Sequence, residues 1–341
     1  MQARAFITGL AGTAITPGER AFLTEAQPWG LILFKRNIDT AEQVAALAGN
    51  FREVVGRADA PVLIDQEGGR VQRMGPPHWP SYPPGAAYGR LYDRDPAKGV
   101  AAARLGARLI ADDLAKVGIT VDCLPVADVP AKGADVVIGD RAYGETPEKV
   151  SALAGAAAAG LADGGVLPVL KHIPGHGRAT ADSHAALPVV NATRAELEAS
   201  DFAAFRPLAG LPLAMTAHVV FTAIDPVSPA TTSAKMIQNV IRGGIGFQGL
   251  LMSDDISMGA LSGSLRERTR AALAAGCDVA LHCNGKLDEM REVAAESPLL
   301  AGEAARRAKA ALAARHAPDE IDVAAARAQF AALMAEGAVT S

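Results

Sequence analysis

Asp182 and His184 stand two positions apart in KHIPGHGRATADSHAALP, the segment Lys171–Pro188. A carboxylate bonded to one imidazole nitrogen raises the basicity of the ring and fixes which nitrogen faces outward. Free imidazole has a pKa of ~6.5, so such a pair can give a proton and take it back near neutral pH. Pro174, Gly175 and Gly177 forbid regular helix here, which predicts a long mobile loop able to fold Asp182 and His184 over a pocket. The segment also holds His172 and His176, and three histidines with an aspartate could bind zinc, as in a zinc-dependent hydrolase. Against that alternative, Pro174 and Gly175 interrupt the i, i+4 spacing of His172 and His176, and no paired-histidine motif lies on the first strand. No metal and no cofactor are expected.

Other ionisable residues follow apolar runs directly. Asp65 ends VLID and leads into Gln66-Glu67-Gly68-Gly69-Arg70 and Arg73; Lys171 and His172 follow VLPVL; His218 ends MTAH; Asp254 and Asp255 follow GLLMS. Each has a plainer reading: Asp65 as the cap of the next helix, His218 as a satisfied core histidine, one of Asp254 and Asp255 as a cap. Their repetition at the ends of successive apolar runs points to a shared cavity.

Those runs are the elements that must position the site. Eight candidate strands are legible: Ala5–Leu10, Gly30–Phe34, Val62–Asp65, Ile119–Ala127, Leu167–His172, Leu213–His218, Leu250–Asp254 and Val279–Cys283. Helical patterns lie between them at Thr40–Val55, Ala97–Val117, Pro147–Ala162, Arg194–Ala209, Ala234–Arg242 and Leu265–Ala275, with Thr193 ahead of Glu196 as a capping signal and Gly118, Gly210 and Gly276 as stops. Alternating strand and helix predicts a parallel α/β fold. An open doubly wound sheet would carry a nucleotide-binding glycine fingerprint after its first strand, and GLAGTAITPG lacks that spacing. Eight strands favour a (β/α)8 TIM barrel, whose active site opens at the C-terminal ends of the strands. One catalytic domain spanning 1–341 is expected, with 301–336 as C-terminal helices packed on the barrel.

With 33 basic and 37 acidic residues, a charge of −4 and no long basic run, neither nucleic acid nor an anionic membrane is an expected partner. Three cysteines without paired spacing fit a reducing compartment, no apolar run spans a bilayer, and the N-terminal stretch reads as a strand; a cytoplasmic location is expected.

Six segments in order, GLILFKRN, IDQEGGRVQR, IGDRAYG, KHIPGHG with ADSH, MTAHV and LMSDDISM, resemble glycoside hydrolase family 3 in its bacterial β-N-acetylhexosaminidase branch. The resemblance implies Asp254 as the nucleophile of a covalent glycosyl-enzyme and His184 as acid/base tuned by Asp182. It implies Asp65, Arg73, Arg141, Lys171 and His172 as holders of the hydroxyls and N-acetyl group of a terminal sugar. Asp140 and Ala142 replace the Glu and Ser that close relatives often carry, while Arg141 is kept. The implied activity is a retaining exo-β-N-acetylglucosaminidase acting on short glycosides such as GlcNAc-1,6-anhydro-MurNAc muropeptides in peptidoglycan recycling. An aromatic content of only 4% suits exo-action better than a long stacking cleft. A phosphorylase using the same residues stays open, and so does a sugar-binding protein on an inactive barrel. A monomer is expected.

Overall fold

The computed structural model describes residues 3–179, 181–183 and 186–338. Eight parallel strands close a barrel: β1 (Arg4–Thr8), β2 (Pro28–Leu33), β3 (Val62–Ile64), β4 (Val121–Asp122), β5 (Leu167–Ile173), β6 (Leu213–Thr216), β7 (Leu250–Asp255) and β8 (Val279–His282). Neighbours pair in chain order, and β1 closes on β8 through Phe6 opposite Ala280 and Thr8 opposite His282. Both faces of each strand are covered, which is why the strands read as unbroken apolar runs.

Alternation along the strands sorts side chains into two cores. Ile7, Leu63, Val169, Met215, Met252 and Leu281 belong to a cluster inside the barrel. Phe6, Ile64, Leu170, Ala214, Leu251 and Ala280, each one residue away, pack outward against the helices. Two residues beyond the last apolar interior position stand Asp65, Lys171, Asp254 and Cys283, carried inward at the C-terminal mouth by the same alternation.

The outer layer includes α1 (Pro17–Ala26), α2 (Ala41–Val54), α3 (Gly85–Arg94), α4 (Pro96–Lys116) and α5 (Pro147–Asp163). Thr193 with Glu196 does form a capping box, but the helix expected over Arg194–Ala209 is broken into α6 (Arg194–Ala199), α7 (Asp201–Phe205) and a 3-10 turn at Arg206–Leu208. Ser200 leaves the helical region at φ −124°, and Arg178 holds the Asp201 carboxylate at 2.6 Å. The helix expected over Ala234–Arg242 is a π-helix at Met236–Ile245; an apolar face at helical spacing does not distinguish that winding from α. Strand four is shorter than the expected Ile119–Ala127, because Pro125 has no N–H to give and only an isolated bridge, Val126 to Lys171, continues the pairing. Lys171 and His172 lie within β5, so the loop after it begins at Pro174.

Then come α8 (Leu265–Ala275), stopped by Gly276 at φ 118°, and α9 (Leu287–Glu296). α10 (Gly302–Ala313) sends Ala308 and Ala311 into the interior cluster. α11 (Val323–Ala338) packs on α3 and α4, with Phe330 near Tyr82 and Tyr88 and Arg327 2.8 Å from Asp113. Among the described residues no helix is long and apolar enough to cross a membrane.

Candidate active site

A cavity of about 290 Å³ opens at the C-terminal mouth, and its lining includes Asp65, Glu67, Arg73, Arg141, Lys171, His172, Asp182 and Asp254. Every residue that the family resemblance assigned to the site and that the structure describes is in that set. His184 lies outside the described residues.

The floor is a chain of alternating charges. Lys171, almost fully buried on β5, places Nζ 2.9 Å from Asp65 Oδ1 and 2.6 Å from Glu67 Oε1. Arg73 donates to Asp65 Oδ2 at 3.0 Å, and Arg141 grips both oxygens of Glu67 at 2.8 and 2.7 Å. Burial alone would push both carboxyls up. Lys171 and Arg73 outweigh it at Asp65 and hold that group well below the usual carboxylate range. Lys171 and Arg141 likewise pull Glu67 down to about 2. Both carboxylates are therefore charged near neutral pH, able to accept hydrogen bonds from hydroxyls and unable to donate a proton. Phe34 braces the entrance, with the Arg36 and Arg73 guanidiniums 4.9 and 5.3 Å from its ring centre.

On the next side Asp128, fully buried just past β4, orients the histidines. Its Oδ2 lies 2.7 Å from His172 Nδ1, and its Oδ1 accepts the backbone N–H groups of His172 (3.2 Å) and His176 (2.7 Å). The His172 ring is thus held through Nδ1, which leaves Nε2 as its other polar edge. His176 is pushed down to about 4 by burial and by His172, so it is neutral near pH 7. Its Nε2 sits 3.1 Å from Ser183 Oγ, while the Ser183 carbonyl accepts Ala260 N–H at 3.1 Å. Ser183 therefore ties the segment carrying Asp182 to the start of the loop after β5 and to the loop after β7.

The two acids closing β7 divide their work. Asp255 is a turn-former: Oδ1 accepts from Ser257 N at 3.0 Å and Cys283 N at 3.2 Å, and Oδ2 accepts from Ser257 Oγ at 2.7 Å. Asp254 faces the cavity; its Oδ1 accepts Asp255 N–H at 2.8 Å, and its own N–H points to Thr216 Oγ1 at 3.4 Å. His218, satisfied on both ring nitrogens by Thr231 Oγ1 (2.7 Å) and the Asp255 carbonyl (3.0 Å), does not line the cavity.

Three site residues escaped the reading of the sequence. Asp128 directly follows the expected fourth strand, so the rule that singled out Asp65 and Asp254 would have found it. Glu67 stood in a quoted motif, but nothing in its spacing announced that it shares Lys171 with Asp65. Ser183 between Asp182 and His184 reads as an ordinary loop residue. Among the described residues no group of three or more His, Cys, Asp or Glu is placed to hold a metal ion.

Beneath the charged floor lies Asp122 on β4, fully buried, with Oδ1 accepting Gln66 N–H at 2.9 Å and Oδ2 without a partner. Burial pushes its pKa far up. The folded chain keeps this proton where the unfolded chain releases it, so Asp122 lowers stability as pH rises above the ordinary carboxyl range. Asp122→Asn, neutral and of the same shape, should melt like the parent at pH 4 and higher than it at pH 8. A melting temperature at least about 2 °C higher than the parent's at pH 8 is expected. A lower melting temperature for the variant at pH 8 would refute this account of the group.

Residues 8–310 match the glycosyl hydrolase family 3 N terminal domain. A β-hexosaminidase from Alkalilimnicola ehrlichii is 42% identical over 280 residues, which cover 81% of this chain and 79% of that one. NagZ from Neisseria gonorrhoeae in complex with zinc ion has a TM-score of 0.86 at 31% identity, covering 98% of this chain and 99% of that chain. The same Neisseria protein in complex with N-trifluoroacetyl-D-glucosamine gives 0.81 at 31% identity, again over 98% and 99% of the two chains.

Proposed function

The chain belongs to glycosyl hydrolase family 3 and is a β-N-acetylhexosaminidase within it, and on that premise we propose a retaining exo-β-N-acetylglucosaminidase that works by double displacement. A carboxylate oxygen of Asp254 attacks the anomeric carbon. The bond from that carbon to the aglycone oxygen breaks, and the oxygen takes a proton from His184. Neutral His184 then removes a proton from water, whose oxygen displaces Asp254 and releases the sugar with its configuration retained. Asp182 tunes His184, while Asp65, Arg73, Arg141, Lys171 and His172 hold the hydroxyls and the N-acetyl group.

One observation carries the reading. Asp254 and Asp182 line one cavity with three other carboxylates: Asp65 and Glu67 are held charged by cations and so are disqualified as proton donors, and Asp255 has both oxygens bound into the turn after β7. The amino-sugar derivative bound by the Neisseria relative supports a 2-acetamido sugar as the glycone. A cavity of this size with a charged floor suits one terminal residue. We place the natural substrates among GlcNAc-1,6-anhydro-MurNAc muropeptides of peptidoglycan recycling, with the chain acting as one monomeric catalytic domain in the cytoplasm.

The test pairs para-nitrophenyl N-acetyl-β-glucosaminide with the β-glucoside and follows the anomer first released by NMR, with and without phosphate. Preference for the acetamido substrate and initial release of the β-anomer are expected. Preference for the glucoside or release of the α-anomer would refute the assignment, and a sugar 1-phosphate formed with phosphate would make the enzyme a phosphorylase.

A further inference from the structure

We infer that Thr216, Thr231 and His218 are positioning residues for Asp254, joined in a hydrogen-bond ring that fixes the backbone on both sides of its carboxylate; this rests on Asp254 as the nucleophile. The ring runs from Asp254 N–H to Thr216 Oγ1 (3.4 Å), to Thr231 Oγ1 (2.7 Å), to His218 Nδ1 (2.7 Å), and from His218 Nε2 to the Asp255 carbonyl (3.0 Å).

The protons can be placed by elimination. A carbonyl only accepts, so His218 Nε2 carries hydrogen. Burial lowers the pKa of His218, and the neutral ring leaves Nδ1 bare. The Thr231 hydroxyl is then the donor to Nδ1, and its oxygen accepts the Thr216 hydroxyl. Thr216 keeps a lone pair for Asp254 N–H. The Ala217 carbonyl, 3.2 Å from Thr231 Oγ1, competes for the same proton from a longer distance. Each link of the ring then has one donor and one acceptor, and the Cys277 thiol, beside Thr216, donates to the Thr231 carbonyl at 3.6 Å.

Thr216, Thr231 and His218 are fully buried, so water cannot replace a lost link. None of the three lines the cavity, and the hydrogen bonds of the ring end on the backbone of Asp254 and Asp255, at the end of β7. A displacement of about 1 Å at a reacting atom can cost ~10²-fold, whereas the charged floor that binds the ground-state sugar hangs on β3 and β5. Loss of the ring should therefore fall on kcat and leave KM alone.

Thr231→Val keeps the shape and removes the hydroxyl. With para-nitrophenyl N-acetyl-β-glucosaminide, kcat should fall about 10- to 100-fold with KM within about twofold, and Thr231→Ser should restore kcat to within about threefold. A raised KM with unchanged kcat, or no rescue by serine, would overturn the proposal. Should the valine variant not fold, nitrogen NMR of the wild-type histidines decides instead: a His218 ring protonated at Nε2 upholds the ring, and one protonated at Nδ1 alone breaks it. Mass spectrometry of wild type trapped with a 5-fluoro N-acetylglucosaminyl fluoride keeps the two readings apart. A label on Asp254 leaves the nucleophile standing whatever the threonine variants do, and a label elsewhere removes the premise of the ring.

Discussion

Asp254→Asn should lower kcat/KM for para-nitrophenyl N-acetyl-β-glucosaminide by about 10³-fold or more, because an amide cannot form the glycosyl ester on which both chemical steps depend. The substitution is nearly isosteric. The amide oxygen can still accept Asp255 N–H, and the Ser257 and Cys283 contacts belong to Asp255, so the turn after β7 should persist and the melting temperature should move little. Asp254→Gly gives a sharper reading with azide present. Azide can then enter from the face that the carboxylate occupied, a single displacement that yields the α-glycosyl azide. Undiminished turnover by the Asn variant, or a β-azide from the Gly variant, would remove Asp254 from the role.

The second large effect concerns His184. His184→Ala should slow a substrate with a poor leaving group by ~10²–10⁴-fold, the usual contribution of a positioned acid/base. A dinitrophenyl glycoside needs little protonation as it departs, so its first step should be nearly spared. Its turnover should then stall at the second step, where water has lost its base, and a burst of phenolate should precede slow steady turnover. Azide needs no deprotonation. It should accelerate that slow phase and give the β-glycosyl azide, the opposite anomer to the one expected from the nucleophile variant. Equal losses on both substrates without a burst would count against His184. The case leans on its neighbours, since Ser183 is held by His176 and Ala260 and Asp182 lines the cavity.

Asp65 and Glu67 set the acid side of the stability profile. Their pKa values are held below the ordinary range, so the stabilisation they bring is present above that range and is lost as pH falls from it to the lowered values. Asp122 acts with the opposite sign, and its replacement separates the two contributions.

Much of this protein is legible in the chain itself. Eight apolar runs alternating with capped helical patterns lead to a parallel α/β fold, and their number, with no glycine fingerprint after the first, favours the closed barrel over an open doubly wound sheet. Two-residue alternation then carries Asp65, Lys171 and Asp254 inward at the mouth, since each stands two residues beyond an interior apolar side chain. Tertiary structure alone decided the pairings. Lys171 meets Glu67, and His172 meets Asp128, across 104 and 44 positions of sequence, contacts that no local spacing encodes. It also separated Asp254 from Asp255, identical adjacent residues that both line the cavity, by binding both carboxylate oxygens of Asp255 into the turn after β7. The physical reason is one of range: periodicity and propensity act within a few residues, whereas partners, burial and the charge state of a carboxylate are properties of the closed barrel.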